Sequence, residues 1–340
     1  MQVLVAMSGG VDSSVAAALL AQDGHEVVGV TMKLWGGPSD TGCCSVADVI
    51  DARRVADALG IDHHVFNFGE DFSAKVVDPY VADHAAGRTP NPCVECNRHI
   101  KFDRLLRRAD ALGFDAVATG HHARVVRRPD GTRRLGRGAD SAKDQSYVLY
   151  MLGQEALARV LLPVGGLTKD RVRALAGDLG LRTAAKPDST DVCFIQRGER
   201  ASFLSERMEA TPARVVDASG RQIGEIPSAQ MVTLGQRKGL GLGGQEHPVY
   251  AVEVDVAGGV VTVGDRAGLL TDEQAVIELI WAAGPAQGPV LVQTSAHGAP
   301  RPATLDGNLV RWRTPQQRVA PGQSVVFYDG DEVLGGAIAA

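Results

Sequence analysis

Short apolar runs alternate with stretches of helical periodicity along the first 200 residues. The run Val3–Ala6 predicts a buried strand, and the apolar spacing from Ser13 to Leu20 predicts a helix after it. Further strands are predicted at His25–Leu34, His63–Phe68 and Asp115–Thr119, and further helices at Val46–Leu59, at Glu70–Ala86, from near Arg98 to about Leu112, at Asp144–Ala158 and at Lys169–Leu179. The alternation predicts an α/β fold with a doubly wound parallel sheet. Ligands of such a sheet bind at the carboxyl ends of the strands, where Ser8, Met32 and Gly120 fall.

The pattern changes near Met208, where short β runs and glycine-containing turns replace the helices. They form two sets, which predict a small, mainly β central domain and a C-terminal antiparallel β-barrel. We therefore divide the chain into residues 1–205, 206–270 and 271–340. A charged hairpin is predicted earlier, around Pro129-Asp130-Gly131. The stretch Leu234–Gly244, LGQRKGLGLGG, is too rich in glycine for a regular element.

The turn after the first strand, SGGVDSS, has the composition of a phosphate-binding site. Two adjacent glycines bring backbone N–H groups close to a ligand, and the helix start adds further N–H donors and a positive dipole end. Serine hydroxyls add donors, and Asp12 is a candidate ligand for Mg²⁺ beside a polyphosphate. The turn is not a Walker A loop, because it lacks the G-x-x-x-x-G-K-[ST] pattern. An ordinary strand–turn–helix corner capped by serines is the alternative.

The composition is typical of a globular protein, and the start of the chain predicts a cytoplasmic location. The chain is 44% hydrophobic and 22% charged, and no apolar run is long enough to span a membrane. The first strand begins at once and leaves no room for a signal peptide, so we expect a cytoplasmic protein without membrane association. Its five cysteines then favour thiol, metal or redox chemistry over structural disulfides.

Charge is unevenly distributed. The net charge is −5, which argues against a generally basic nucleic-acid-binding protein. The segment from Asn97 to Gly138, however, contains 11 Lys and Arg residues and only 4 Asp residues, which gives it a net charge of +7. This segment is either a surface for a phosphate backbone or a solvated helix face followed by a charged hairpin.

Three cysteines are candidates for chemistry. The pair Cys93-x-x-Cys96 is compatible with a redox pair, half a zinc site or part of an iron–sulfur site. Arg98, Lys101 and a helix start near Arg98 would lower the pKa of the Cys96 thiol. Cys193, followed by Phe-Ile, is either a reactive thiol or a buried apolar residue.

Taken together, these motifs resemble those of one family. The string SGGVDSS resembles the PP-loop of the N-type ATP pyrophosphatases. It is followed in order by CCS, TPNPxxxCNxxIKF, ATGHxAR, KDQSY, STxxCFI and LGQRKGLGLGG. This order resembles that of bacterial tRNA-specific 2-thiouridylases, over essentially the whole chain. Such enzymes install sulfur on C2 of the wobble uridine of glutamate, lysine and glutamine tRNAs.

The resemblance implies a role for particular residues. Cys96 matches the nucleophilic cysteine and Cys193 the cysteine that carries a persulfide, and the two would form a transient disulfide. The residues implied in ATP binding are Ala6, Met7, Ser8, Gly9, Gly10, Val11, Asp12, Ser13, Met32 and Gly120. Those implied in tRNA binding are His121, Lys143, Asp144, Gln145, Arg311, Trp312 and Gln323. Many members have Asp where this chain has Cys93, so the role of that Asp is in doubt here.

The family reaction implies ATP and Mg²⁺, the anticodon stem-loop of tRNA, and a sulfur donor, either a cysteine desulfurase or a sulfur-relay protein. ATP would adenylate the C2 oxygen, and persulfide sulfur would displace AMP. One alternative is the same reaction through a [4Fe–4S] cluster on Cys93, Cys96 and Cys193. A second is a PP-loop synthetase that forms an amide of a small metabolite. A third is an RNA-binding protein with a vestigial ATP site.

Overall fold

The structure is a computed structural model that describes residues 1–35, 45–188, 192–195, 198–243 and 247–340. The predicted loop at Gly36–Gly42, the pair Cys43-Cys44 and part of the STxxCFI motif lie outside these ranges. In the described part of the chain, no helix is long and apolar enough to cross a membrane.

The N-terminal region is built on a parallel sheet, as predicted. Its five strands have the order β3-β2-β1-β4-β7, and every neighbouring pair is parallel. The strands are β1 (Gln2–Ala6), β2 (Glu26–Lys33), β3 (Asp62–Asn67), β4 (Ala116–Ala118) and β7 (Val160–Leu161). Leu4 of β1 packs in one apolar cluster, whereas Val3 and Val5 pack in another. Because successive side chains of a strand point to opposite faces, helices cover both faces of the sheet.

The observed helices agree with the predicted ones where apolar residues keep the helical period over the whole segment. They are α1 (Val11–Gln22), α2 (Val46–Leu59), α3 (Gly69–Phe72), α4 (Asp78–Ala85), α5 (Pro92–Glu95), α6 (Leu105–Ala111), α7 (Gln154–Arg159), α8 (Lys169–Asp178) and α9 (Arg200–Ser205). A π turn, Ser73–Val77, joins α3 to α4, and a second, Cys96–Arg104, joins α5 to α6. Short 3₁₀ turns occupy Ser146–Leu149, Arg182–Ala185, Ala229–Met231 and Ala267–Leu269.

Two helix predictions are wrong in detail. The helix expected to begin near Arg98 begins at Pro92, because proline fits the first turn of a helix and the Asn91 side chain accepts from the Cys93 N–H at 3.1 Å. The helix expected at Asp144–Ala158 is instead a 3₁₀ turn followed by α7, which begins after Gly153. The Asp144 carboxylate accepts from the Ser146 N–H and holds this turn.

Two β structures follow. The first is a four-stranded sheet of β8 (Ala213–Val216), β9 (Gln222–Ile226), β10 (Tyr250–Asp255) and β11 (Val260–Gly264). The second is a closed six-stranded antiparallel barrel of β12 (Leu270–Trp281), β13 (Gly288–Gln293), β14 (Arg301–Asp306), β15 (Leu309–Gln317), β16 (Ser324–Asp329) and β17 (Glu332–Ala339). The fold class predicted from the sequence is therefore confirmed.

The charged hairpin has a position that the sequence did not indicate. Its strands, β5 (Ala123–Arg127) and β6 (Arg133–Arg137), leave the parallel sheet and extend the barrel sheet through a contact of Gly136 with Glu332 on β17. The hairpin thereby ties the barrel to the carboxyl edge of the N-terminal sheet, since it begins three residues after Gly120.

Candidate functional site

The turn between β1 and α1 is held in a fixed shape by short local contacts. The Ser8 N–H donates to Oγ of Ser13 at 3.1 Å, and Oγ of Ser14 donates to the Gly10 carbonyl at 2.8 Å. Gly9 has φ +72°, and a Cβ there would lie 2.3 Å from the Asp48 carbonyl oxygen, so no other residue fits. The turn therefore presents backbone to a ligand at the start of a 12-residue helix.

Two further predicted residues lie beside this turn. Gly120, just after β4, packs so closely that a Cβ there would be 2.5 Å from the backbone nitrogen of Ser13. Met32 lies near the end of β2, the strand paired with β1. Thr31 on β2 donates to the carbonyl oxygen of Met7 at 2.8 Å and fixes the chain as it enters the turn. The predicted ATP-site residues thus converge at the carboxyl edge of the sheet.

The carboxylate of Asp12 is engaged by the side chains of Lys169 and His122. Its carboxylate accepts from Nζ of Lys169 at 2.7 and 2.8 Å, and Nε2 of His122 lies 3.1 Å away. Burial raises the pKa of Asp12, but the hydrogen bonds from His122 and Lys169 outweigh this effect and lower it below its usual value. Asp12 would have to leave these partners to ligate Mg²⁺.

Lys169 connects this turn to a second carboxylate. It is only 8% exposed, and its Nζ also lies 2.8 Å from Asp188. Asp188 in turn pairs with Lys143 at 2.8 Å and with Arg173 at 2.7 Å. Burial alone would raise the pKa of Asp188, but the bonds from Lys143 and Lys169 hold it at about 2. Asp188 precedes Cys193 by five residues, so this network leads from the turn to the segment that carries that cysteine.

The three cysteines differ in exposure, and Cys96 and Cys193 meet at one apolar cluster. Cys96 is 6% exposed and lies within the cluster, Cys193 is half-buried and packs against it, and Cys93 is exposed. Phe194 contacts the ring of Tyr80 with centroids 5.6 Å apart, and Cys93 influences the same tyrosine electrostatically. The structure therefore brings the two cysteine segments to one region, although they are almost a hundred residues apart in sequence.

The corrected start of α5 changes the environment of these thiols. Cys93, not Cys96, lies in the first turn of α5. Cys96 opens the π turn, one helical turn further on. Activation of Cys96 by a helix start near Arg98 is therefore wrong, and the nearby side chains remain the candidates for that role.

The residues matched to tRNA contacts near Gly120 are mostly held within the protein. His121 is 8% exposed, and its Nδ1 lies 2.7 Å from Oγ1 of Thr119. Burial lowers its pKa well below the usual range, with smaller contributions from Lys101 and His122, so its ring is neutral near pH 7. The side chain of Gln145 accepts from the His122 N–H at 2.8 Å.

Asp144 is the most strongly engaged of this group. It is 9% exposed, and its carboxylate accepts from Arg137 and from Oγ of Ser146, each at 2.8 Å. The guanidinium of Arg137 lies 3.9 Å over the ring of Tyr328, and Ser146 lies 3.1 Å from the hydroxyl of that tyrosine. Asp144 thus joins the hairpin and the barrel.

The three barrel residues matched to tRNA contacts have different surroundings. Arg311 is exposed and pairs with Glu273. Trp312 is 8% exposed in the barrel core, and its buried Nε1–H has no acceptor in the described part of the chain. Gln323 donates to the carbonyl oxygen of Thr89 at 2.6 Å, so it braces the loop that leads to the Cys93–Cys96 segment.

In the described part of the chain, six arginines of the basic segment 97–138 form ion pairs, five of them with acidic residues outside the segment. The ion pairs are Arg98–Glu95, Arg104–Asp71, Arg107–Asp103, Arg128–Glu332, Arg134–Glu332 and Arg137–Asp144. The hairpin arginines among them face the barrel. Ion pairing therefore engages part of this segment within the protein, and its role as a surface for a phosphate backbone stays a prediction.

Sequence reasoning missed Lys169, Asp188, His122 and Lys186. Lys186 donates to the Gly9 carbonyl at 3.0 Å and pairs with Asp48 and Asp51. Only Lys169 carried a sequence signal, since a lysine at the first position of a helix opposes the helix dipole and calls for nearby anions.

The cysteines do not fit an iron–sulfur cluster as arranged. Among the residues that the structure describes, which include Cys93, Cys96 and Cys193, no group of three or more His, Cys, Asp or Glu side chains is placed to hold a metal ion. The described residues therefore do not support a [4Fe–4S] cluster on Cys93, Cys96 and Cys193.

Comparisons with known proteins agree along the whole chain. Family models match residues 1–197 (tRNA methyl transferase HUP domain), 201–265 (tRNA methyl transferase PRC-barrel domain) and 275–339 (aminomethyltransferase beta-barrel domain). The tRNA-specific 2-thiouridylase MnmA of Chloroflexus aurantiacus is 47% identical, covering 98% of this chain and 97% of that protein. The enzyme of the same name from Acidothermus cellulolyticus is 48% identical over 99% and 97%. Among solved structures, the U34-tRNA thiolase NcsA from Methanococcus maripaludis with its [4Fe-4S] cluster matches at 18% identity over 61% of this chain and 62% of that chain, with a TM-score of 0.37.

Proposed function

The chain belongs to the family of tRNA-specific 2-thiouridylases, and from that premise we propose how its own residues carry out the reaction. It is a tRNA sulfurtransferase with a PP-loop ATP-binding domain. The proposed substrate is the wobble uridine in the anticodon loop of glutamate, lysine and glutamine tRNAs. ATP enters with Mg²⁺ as its counter-ion, and a cysteine desulfurase or a sulfur-relay protein supplies sulfur.

The first step activates a poor leaving group. The uracil C2 oxygen attacks the α-phosphorus of ATP, the bond to the β-phosphate oxygen breaks, and pyrophosphate leaves toward the Ser8–Ser13 turn. Backbone N–H groups there and the cation of Lys169 stabilise the departing charge. The uridine lies in a single-stranded loop, so turning it out into the site costs little.

The second step transfers sulfur. A donor persulfide passes its terminal sulfur to the thiolate of Cys193. That sulfur, directly or after Cys96 releases it as sulfide, bonds to C2 while AMP leaves. Attack of the Cys96 thiolate on the Sγ of Cys193 breaks the persulfide S–S bond. The transferred sulfur keeps the electron pair, a Cys96–Cys193 disulfide forms, and a dithiol reductant supplies two electrons to reopen it.

One observation carries this proposal. The contacts Asp12–Lys169–Asp188 lead in two ion pairs from the predicted ATP turn to the segment of Cys193. Cys96 and Cys193 also border one apolar cluster, which favours thiol chemistry sheltered from water. An amide-forming synthetase needs neither thiol, and no contact among the described residues of the site favours it.

The test is thiolation of glutamate tRNA transcript with ATP, Mg²⁺ and a persulfide donor, read as a shifted band on a mercury-affinity gel. Cys96→Ser and Cys193→Ser should each abolish product, whereas the matched control Cys93→Ser should retain it. Release of pyrophosphate should persist in all three variants, because adenylation precedes sulfur transfer. Product formed by Cys193→Ser would refute the persulfide route, and loss in all three with recovery after anaerobic iron loading would favour a cluster.

A further inference from the structure

The glycine-rich stretch LGQRKGLGLGG has no role in the chemistry above. Residues 237–243 of this stretch, here named the basic loop, pack in part against the sheet of β8 to β11. The loop borders a cavity of about 790 Å³ that is lined also by His247, Pro248 and Val249. This volume is that of a site for a substantial ligand group.

The backbone N–H groups of the basic loop lack hydrogen-bond acceptors within the described part of the chain. None of its seven N–H groups, from Arg237 to Gly243, donates to an acceptor in the described part of the chain. Backbone N–H groups normally find partners, and a run of open donors is typical of sites that bind anions. Gly243 has no atom within 4 Å of the position of a Cβ, so the backbone there is open to a ligand.

The loop is nevertheless fixed in place. The Gln236 side chain accepts from the Thr233 N–H at 3.1 Å and donates to the Lys238 carbonyl at 2.8 Å. Leu240 is buried in the apolar core of this sheet. Gly241 has φ +67°, and a Cβ would lie 2.3 Å from the Glu225 carbonyl oxygen, so glycine is required. A preorganised loop binds a ligand without a large ordering cost.

Its cations are available, unlike those of segment 97–138. Arg237 and Lys238 are both exposed, and neither has an ion-pair partner among the residues that the structure describes. N–H donors and two cations that have no partner among the described residues lie on one concave surface, and they match the chemistry of phosphate oxygens.

We propose that the basic loop binds the phosphodiester backbone of the tRNA substrate, with Arg237, Lys238 and the open N–H groups as the contacts. The inference rests on the proposed function, because that function makes tRNA the polyanion that the enzyme must hold. Such contacts position the RNA without reading its sequence.

The test is binding of a fluorescent glutamate tRNA transcript between about 50 and about 300 mM KCl. The double variant Arg237→Ala/Lys238→Ala should bind more weakly and lower the slope of log K against log salt by about 2. The matched control Arg221→Ala/Arg266→Ala removes two exposed cations from the same sheet region, and its slope should equal that of the wild type. Gly243→Glu, which places an anion in open space, should also weaken binding.

Three outcomes would overturn the inference. The slope of the double variant is unchanged, the control variant shows the same loss, or tRNA binding is unaffected while binding of AMP or inorganic phosphate is lost. The last result would assign the loop to a free nucleotide. Absence of thiolation by the wild type would count against the proposed function, whereas an unchanged salt slope of the double variant would count against the loop alone.

Discussion

The substitution Gly120→Ala tests whether the end of β4 sets the shape of the proposed ATP turn. The added Cβ would lie 2.5 Å from the nitrogen of Ser13 and 2.6 Å from the carbonyl carbon of Asp12. Both are backbone atoms, so no side-chain rotation relieves the contact. Ordinary contacts begin near 3.4 Å, and the turn must therefore shift by about 0.9 Å.

Overpacking of this kind costs about 1–3 kcal/mol, and a displacement of about 1 Å at a reacting centre lowers the rate about a hundredfold. We expect tRNA-dependent release of pyrophosphate to fall by about that factor in kcat/KM for ATP, with tRNA affinity unchanged.

The matched control is Gly177→Ala, inside α8, where no atom lies within 4 Å of the new Cβ. It should leave activity unchanged and stabilise the fold by up to about 1 kcal/mol, because alanine is the better helix former. Activity of Gly120→Ala within about twofold of the wild type, with an unchanged melting temperature, would refute the reasoning.

Three further substitutions test the network of charges. Lys169→Met removes the amine that lies between the carboxylates of Asp12 and Asp188. Each carboxylate is within 2.8 Å of that nitrogen, so the two carboxylates are at most about 5.6 Å apart. Two charges at this distance repel by about 3 kcal/mol at an effective dielectric constant of about 20. Urea unfolding at pH 7 should show a loss of this order, and pyrophosphate release should fall; unchanged values for both would contradict the assignment. Asp188→Asn removes a group whose pKa is held at about 2, so the wild type should be more stable by about 2 kcal/mol above about pH 5, and the difference should shrink as the pH falls from about 4 to about 2. A constant difference over that range would count against ionised Asp188. Asp144→Asn should cost about 3 kcal/mol in the same assay, because Arg137 loses a buried anion, whereas the exposed control Asp130→Asn should cost much less; equal losses would show that burial of the pair does not matter.

The position of the hairpin strands shows what the local sequence pattern does not predict, which is the strand that the hairpin pairs with. The sequence predicted a hairpin around Pro129-Asp130-Gly131, and the structure has β5 and β6 on either side of that turn. Their attachment to β17 depends on a partner strand almost two hundred residues later, which no local pattern encodes. The same long-range pairing turned a basic segment into a set of ion pairs with Asp329 and Glu332.

Helix boundaries show a similar division. Val46–Leu59 was predicted to the residue, because Ser45 caps its start, Gly60 ends it and one apolar period runs between them. The helix start predicted near Arg98 lies six residues after the observed start at Pro92, because proline suits a first turn once Asn91 provides the cap. The buried tyrosines Tyr147 and Tyr150 divide the predicted helix at 144–158 because core packing outweighs propensity there.

The sequence by itself determined what local chemistry dictates: the parallel sheet, the glycine-containing turn after its first strand and the two later β structures. Only the tertiary structure decided which of these groups meet. Lys169 bridges Asp12 and Asp188, and Gln323 donates to Thr89. The contacts of Lys169 with Asp12 and of Gln323 with Thr89 each join residues more than a hundred positions apart. Such contacts depend on the packing of whole elements, whose free energy comes from buried area that no single window of sequence contains.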